Sequence, residues 1–307
     1  METLYITHQA CSLHEMGDWH PECPERLDAI GDQLLSSGIM DFLVQRQARE
    51  ALPEDVQRVH SAAYVDELRG HAPQQGYFPI DSDTLMNSAT LDAAWRAAGA
   101  GLTALDALMA GEARTAFCAV RPPGHHARPS LAMGFCFFNN IAVTAAYAFE
   151  RYGLSRVAIV DFDVHHGNGT EEAFAHDERI LMCSVYQHPF FPDLHAPDPG
   201  PGMVNIPMAA YTDGQAYRQV VAEHWLPALR AFRPELVLVS AGFDGHREDD
   251  MGQFKLVESD YQWITQQLVD IANEHAGGRI ISLLEGGYNL SALGRSAVAH
   301  IRALSGL

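Results

Sequence analysis

The chain has 307 residues, 47% hydrophobic and 19% charged, which is enough apolar length for a substantial core and excludes a disordered or collagen-like polymer. Twenty Lys and Arg stand against 39 Asp and Glu, a formal net charge of −19, so a surface that neutralises nucleic-acid phosphates is not expected. Five cysteines without a C-x-x-C pair offer neither a disulfide framework nor a thiolate zinc ribbon. The opening METLYITHQACSL lacks a basic segment followed by a long apolar one, and no run of about 18 apolar residues occurs, so the expectation is a cytoplasmic protein without a membrane span.

In chain order, a strand is predicted over 4–8, then helices over 24–36 and 87–110, a strand over 115–120, a helix over 138–152, and strands over 156–163 and 179–186. A helix over 213–231, a strand over 235–242, a helix over 258–275, a strand over 279–285 and a helix over 291–304 complete the series. Strand and helix in alternation predict an α/β protein with three α/β/α layers and a mostly parallel central sheet, one domain over residues 1–307. The longest irregular stretches, 71–86, 121–137 and 187–202, are where loops can build a site. In open parallel sheets, ligands bind beyond the carboxyl ends of the strands.

Four segments stand at such ends. In DFDVHHGNG (161–169), Asp161, Asp163 and His165 alternate along an expected extended chain and so point one way, as suits Zn²⁺ or another borderline divalent cation. RPPGHHA (121–127) holds His125 and His126 on a stiff loop, where each could serve a bound water. SAGFDGH (240–246) offers Asp244, a carboxylate that would complete a three-ligand set with Asp163 and His165 and leave a coordination position open. LEGGYNL (284–290) puts Tyr288 behind two glycines, where a phenol can donate to a developing oxyanion; alone, that segment reads more readily as a core tyrosine at a turn.

Together with HPECPERL (20–27), these motifs resemble the zinc-dependent histone deacetylase family, above all its class II-like bacterial histone-deacetylase-like amidohydrolases, with acetylpolyamine amidohydrolases as near relatives. The resemblance spans nearly the whole chain and implies the arginase/deacetylase fold. It implies Asp163, His165 and Asp244 as ligands of one zinc ion, His125 and His126 as the tandem catalytic histidines, and Tyr288 as the tyrosine that stabilises the transition state. Asp161 matches the carboxylate that orients His125. Asn168 matches the partner of His126, where some members carry Asp, and its neutral amide predicts a mostly neutral His126. Asp161, Asp163, His165, Ser184 and Val185 match a structural potassium site, and Phe174, Asp177 and Ile180 part of a second.

The resemblance further implies a narrow apolar channel for the acyl-lysine stem. Gly134 and Phe135 would line one wall, Phe191 the other with Phe190 as its rival, Met251 the rim, and His20 the mouth as a substrate contact. The expected activity is hydrolysis of acetyl or other short acyl groups from lysine side chains of proteins or peptides. The alternative is an acetylpolyamine or other small-molecule amidohydrolase, against which Met251 stands, because polyamine-preferring members carry Glu there. An arginase-type ureohydrolase would need more carboxylates, and a silent acyl-lysine reader should lack a ligand or the tyrosine. Partners are therefore acylated amines rather than nucleic acid or membrane, with a homo-oligomer expected by analogy alone.

Overall fold

The apolar runs pair into one large sheet. The structure, a computed structural model, describes residues 2–194 and 200–307, so part of the expected loop 187–202 lies outside the described residues. Its strands are β1 (Thr3–Thr7), β2 (Leu43–Gln47), β3 (Phe78–Pro79), β4 (Leu85–Met86), β5 (Thr115–Cys118), β6 (Val157–Asp161), β7 (Ile180–Gln187), β8 (Met203–Met208), β9 (Leu236–Ala241) and β10 (Ile280–Leu284). Eight of them form a sheet in the order β2-β1-β5-β10-β9-β6-β7-β8, with every neighbouring pair parallel, while β3 and β4 make a small antiparallel ribbon. The central strands are buried along their whole length, as continuous β-branched runs require when both faces are covered.

Two groups of helices cover the sheet. Helices Glu25–Ser36, Glu258–His275 and Leu290–Ser305 pack on one another, and Thr90–Met109 packs on Asn140–Tyr152. Asn139 and Asn289 cap the helices that follow them, each accepting a hydrogen bond of 3.0 Å from a backbone N–H three residues on. Among the described residues no helix is long and apolar enough to cross a membrane.

Some elements differ from expectation. The edge strands β2, of sequence LVQRQ, and β8, of sequence MVNIPM, lack a continuous apolar run because an edge is only half covered. Helices Ala62–His71 and Asn168–Phe174 were also not foreseen. The single helix expected over 213–231 is interrupted by a π-helical turn, Val221–Trp225, between Gly214–Val220 and Leu226–Phe232. The strand expected to reach residue 163 ends at Asp161.

The strand order gathers the site. β5, β10, β9, β6 and β7 are consecutive neighbours, so the loops after them, distant in the chain, meet over one edge of the sheet.

Candidate active site

Beyond β6 and β9, Asp163, His165 and Asp244 converge, each buried, with one ligand atom apiece inside 4.8 Å of the others. His165 Nδ1 faces both carboxylates, at 2.9 Å from Asp163 Oδ1 and 3.1 Å from Asp244 Oδ2. Among the described residues this is the one group of three or more His, Cys, Asp or Glu so placed. The remaining carboxylate valences are held by backbone: Gly286 N–H donates to Asp163 Oδ2 at 2.8 Å and Val164 N–H to Asp244 Oδ1 at 2.9 Å. Glycine is needed at 286, since a Cβ there would sit 2.1 Å from Asp244 Oδ2 and 2.6 Å from Asp163 Oδ2. Burial, then the nearby Asp163, pushes the Asp244 carboxyl up to about 7, a penalty that a divalent cation between the two would remove.

Asp161 does not share this cluster's direction. The extended alternation stops at residue 161, and the Asp161 side chain turns to His125, whose Nδ1–H donates to its Oδ2 at 2.9 Å. The neighbouring imidazole, with its ring centroid 4.0 Å from that of His125, donates its own Nδ1–H to Asn168 Oδ1 at 2.8 Å. Burial works against a charge on His125, but Asp161, Asp163 and Glu285 overcome it and hold its pKa well above the ordinary histidine range. For His126, burial and the imidazoles of His125 and His165 act together and hold the pKa well below that range. The two rings are thus biased in opposite directions, His125 toward the charged form and His126 toward the neutral one, whose Nδ1 proton is fixed by the amide.

The RPPGHHA loop hangs from a buried carboxylate that the motif reading passed over. Glu285 Oε2 accepts from Gly124 N–H at 2.7 Å and His125 N–H at 3.1 Å, while Ser240 Oγ–H donates to Oε1 at 3.1 Å. Beneath it lies a fully buried charge network: Arg26 and Arg121 both bind Glu22, Arg121 Nη2 lying 2.6 Å from Glu22 Oε2. These three residues sit inside HPECPERL and RPPGHHA, and charged residues within otherwise apolar or turn-forming motifs were the signal available for them. Tyr288 packs against this network, its ring centroid 4.9 Å from the Arg26 guanidinium carbon. Desolvation holds its phenol well above the ordinary range, so it stays a proton donor.

Above these groups opens a cavity of about 240 Å³ lined by Asp83, His126, Gly134, Phe135, His165, Phe190, Phe191, Asp250, Met251 and Tyr288. Both phenylalanines of HPFFP take part: Phe190 stacks on the His165 ring at 5.3 Å, and Phe191 meets His126 edge-on at 5.2 Å. Gly134 has φ +55°, and a Cβ there would lie 2.6 Å from His126 Cδ2. His20 is a correction. Its ring nitrogens are engaged by Asp83 O at 2.9 Å and Glu22 N–H at 3.1 Å, and its ring backs Phe135 at 4.6 Å, so it supports the wall instead of facing the cavity.

The Histone deacetylase domain family matches residues 20–304. A probable deacetylase of Archaeoglobus fulgidus is 36% identical, covering 100% of this chain and 87% of that protein. A histone deacetylase-like amidohydrolase of Pseudomonas aeruginosa is 37% identical, covering 94% of this chain and 77% of its own. The crystal structure of the HDA15 HD domain superposes with a TM-score of 0.93 at 35% identity, over 99% of this chain and 90% of that one.

The chain belongs to the histone deacetylase family. Membership places it among hydrolases, and its α/β/α architecture is that family's. In this family member, β6 and β7 pair with Asp161 opposite Ser184, and Ser184 Oγ is buried with no hydrogen-bond partner among the described residues. Phe174, Asp177 and Ile180 lie on one turn, where the Asp177 carboxylate is taken by Arg179 at 2.6 Å.

Proposed function

We propose that this chain is a zinc-dependent deacylase that removes acetyl or other short acyl groups from lysine side chains of proteins or peptides. The observation that carries this reading is the convergence of Asp163, His165 and Asp244 with His126 and Tyr288 at the floor of one apolar cavity. Two carboxylates and an imidazole suit zinc, and the cradle that Gly286 leaves open fits a cation between them. When bound, zinc would polarise the amide carbonyl and lower the pKa of a water toward roughly 7.

The chain's own groups do the rest. His126, neutral and with its Nδ1–H committed to Asn168, accepts a proton at Nε2 and returns it to the leaving amine. His125, charged and held by Asp161, supplies positive potential beside it. The Tyr288 hydroxyl donates to the carbonyl oxygen as it gains charge. Phe135, Phe190, Phe191 and Met251 enclose an aliphatic stem and exclude water. A structural potassium ion would sit among Asp161, Asp163, His165, Ser184 and Val185, which the buried Ser184 Oγ, without a hydrogen-bond partner among the described residues, supports. A second, at Phe174, Asp177 and Ile180, would rest on backbone oxygens alone, given the Asp177–Arg179 pair. We read residues 1–307 as one domain, and the five free cysteines suit a reducing cytoplasm.

Acylated polyamines are the rival substrate class, because Asp83 and Asp250 at the cavity mouth suit a small polycation as well as a basic peptide. The test is a panel of acetyl-lysine peptides and acetylated polyamines compared by kcat/KM, before and after metal removal. The expected result is a preference for the peptides of about tenfold or more, abolished by chelation and restored by zinc. The reverse preference establishes the rival class, and turnover indifferent to chelation overturns the metal-dependent reading.

A further inference from the structure

Tyr288 has no side-chain hydrogen bond to hold its phenol in place among the described residues, and two glycines precede it, the second at φ +117°. Such a chain swings freely unless its backbone is tied. Here it is tied from two sides. The Arg26 guanidinium donates to the carbonyls of Glu285 at 2.5 Å and Gly287 at 2.6 Å. On the other side Asp249 Oδ2 accepts from both Tyr288 N–H, at 2.6 Å, and Asn289 N–H, at 2.8 Å. Its second oxygen, Oδ1, accepts from Met251 N–H at 2.9 Å.

Asp249 is an unusual carboxylate. It is buried, yet forms no ion pair among the described residues, and its hydrogen bonds all go to backbone amides of two loops 39 residues apart. Burying an unpaired carboxylate is strongly unfavourable unless such donors satisfy it. Both loops it joins line the substrate cavity, one through Tyr288 and the other through Met251. A donor to a developing oxyanion works only when it stands at the right distance before the reaction begins.

We propose that Asp249 is a positioning residue that fixes the Tyr288 phenol over the reacting carbonyl and locks it in register with the Met251 rim. This inference rests on the reading of Tyr288 as the oxyanion donor. Asp249 is not among the residues that line the cavity and acts through the backbone it binds. An Asn in its place keeps the size but turns an amide N–H₂ toward one of the backbone donors, and Ala removes every acceptor.

The experiment is a double-mutant cycle on the metal-loaded protein, with an acetyl-lysine peptide as substrate and metal content measured for each variant. Asp249→Ala and Asp249→Asn should lower kcat by about 10- to 100-fold, as a misplaced reacting group does, with KM and metal content little changed. In a Tyr288→Phe background the same changes should cost less than about twofold, because the group being positioned is already gone. An equal loss in both backgrounds, or no loss in the wild type, overturns the inference while leaving the role of Tyr288 intact. Near-normal turnover of Tyr288→Phe alone overturns that role and this inference with it. The wild-type protein supplies a check that does not depend on any variant folding: the amides of Tyr288 and Asn289 should exchange with deuterium far more slowly than an untied loop, and fast exchange contradicts the proposal.

Discussion

Two buried imidazoles, His300 in the C-terminal helix and His126 under the cavity, are both neutral for the same reason and differ in everything that follows. His300 is ringed by Phe117, Phe162 and Phe243 at centroid distances of 5.7, 5.6 and 5.8 Å, and burial pushes its pKa down to about 3. Thr265 Oγ–H donates to Tyr261 O at 2.6 Å, so the same oxygen accepts the His300 Nδ1–H, also at 2.6 Å. That assigns Nε2 as acceptor from Ser282 Oγ–H at 2.8 Å, and both ring nitrogens are used. His126 has the same Nδ1–H arrangement toward Asn168, but its ring lines a cavity and Nε2 has no side-chain partner among the described residues. Both rings are held toward the neutral form; what suits His126 alone to the proposed role of base is an uncommitted lone pair beside the cavity.

The largest effect expected from this contrast is on His126→Ala. Loss of a general acid–base group should lower kcat by about 10²–10⁴, while the folded protein loses only the hydrogen bond to Asn168 and the ring contacts with His125 and Phe191, so it stays folded with a lowered melting temperature. Steady-state kinetics beside thermal unfolding measures both. Turnover that survives the substitution would return His126 to the same class as His300.

The opposite substitution should behave in the opposite way. His300→Leu leaves the Ser282 and Thr265 hydroxyls without their buried partner, a cost of about 1–3 kcal/mol, while kcat/KM of the folded fraction stays near wild type. Urea unfolding combined with activity assays separates the two. A fall in kcat/KM comparable to that of the His126 variant would mean that the aromatic pocket reaches the site and that the two histidines are not independent.

What could be read without coordinates follows the same line between strand ends and the loops that pack on them. Asp163, His165 and Asp244 follow apolar runs, and the rule that parallel strands present their carboxyl ends to ligands points to them; Tyr288 needs the family resemblance as well. Alternation alone groups Asp161 with Asp163 and His165, but the strand ends at Asp161 and its side chain turns to His125, the contact that the family resemblance implies. His20 and Asp249 could not be placed, because their direction is set by loops of another part of the chain. Asp249 sits in the run Glu248, Asp249 and Asp250, a pattern that by itself reads as solvated acid, yet its carboxylate turns inward while Asp250 lines the cavity. Strands β2 and β8 escaped for a related reason: an edge strand shares its pattern with a loop until its neighbour is known.

The finest difference between the two imidazoles is the partner at Nδ1, and Asn168→Asp tests it. Asn168 Oδ1 is a neutral acceptor 2.8 Å from His126 Nδ1, so it orients the ring and favours the cation less than burial and the flanking imidazoles disfavour it. A carboxylate at the same place favours the imidazolium, and an opposite charge at this range raises a pKa by about 1–3 units. Burial and the flanking imidazoles, which hold His126 well below the ordinary range, would then be partly offset. The base must be neutral to take a proton, so raising its pKa makes the variant slow at pH values where the wild type is already active. The acidic limb of the kcat/KM profile should therefore move to higher pH by about one unit, with the plateau at alkaline pH nearly retained. A limb that stays where it was would assign that ionisation to another group and would leave Asn168 as a spacer with no bearing on the charge of His126.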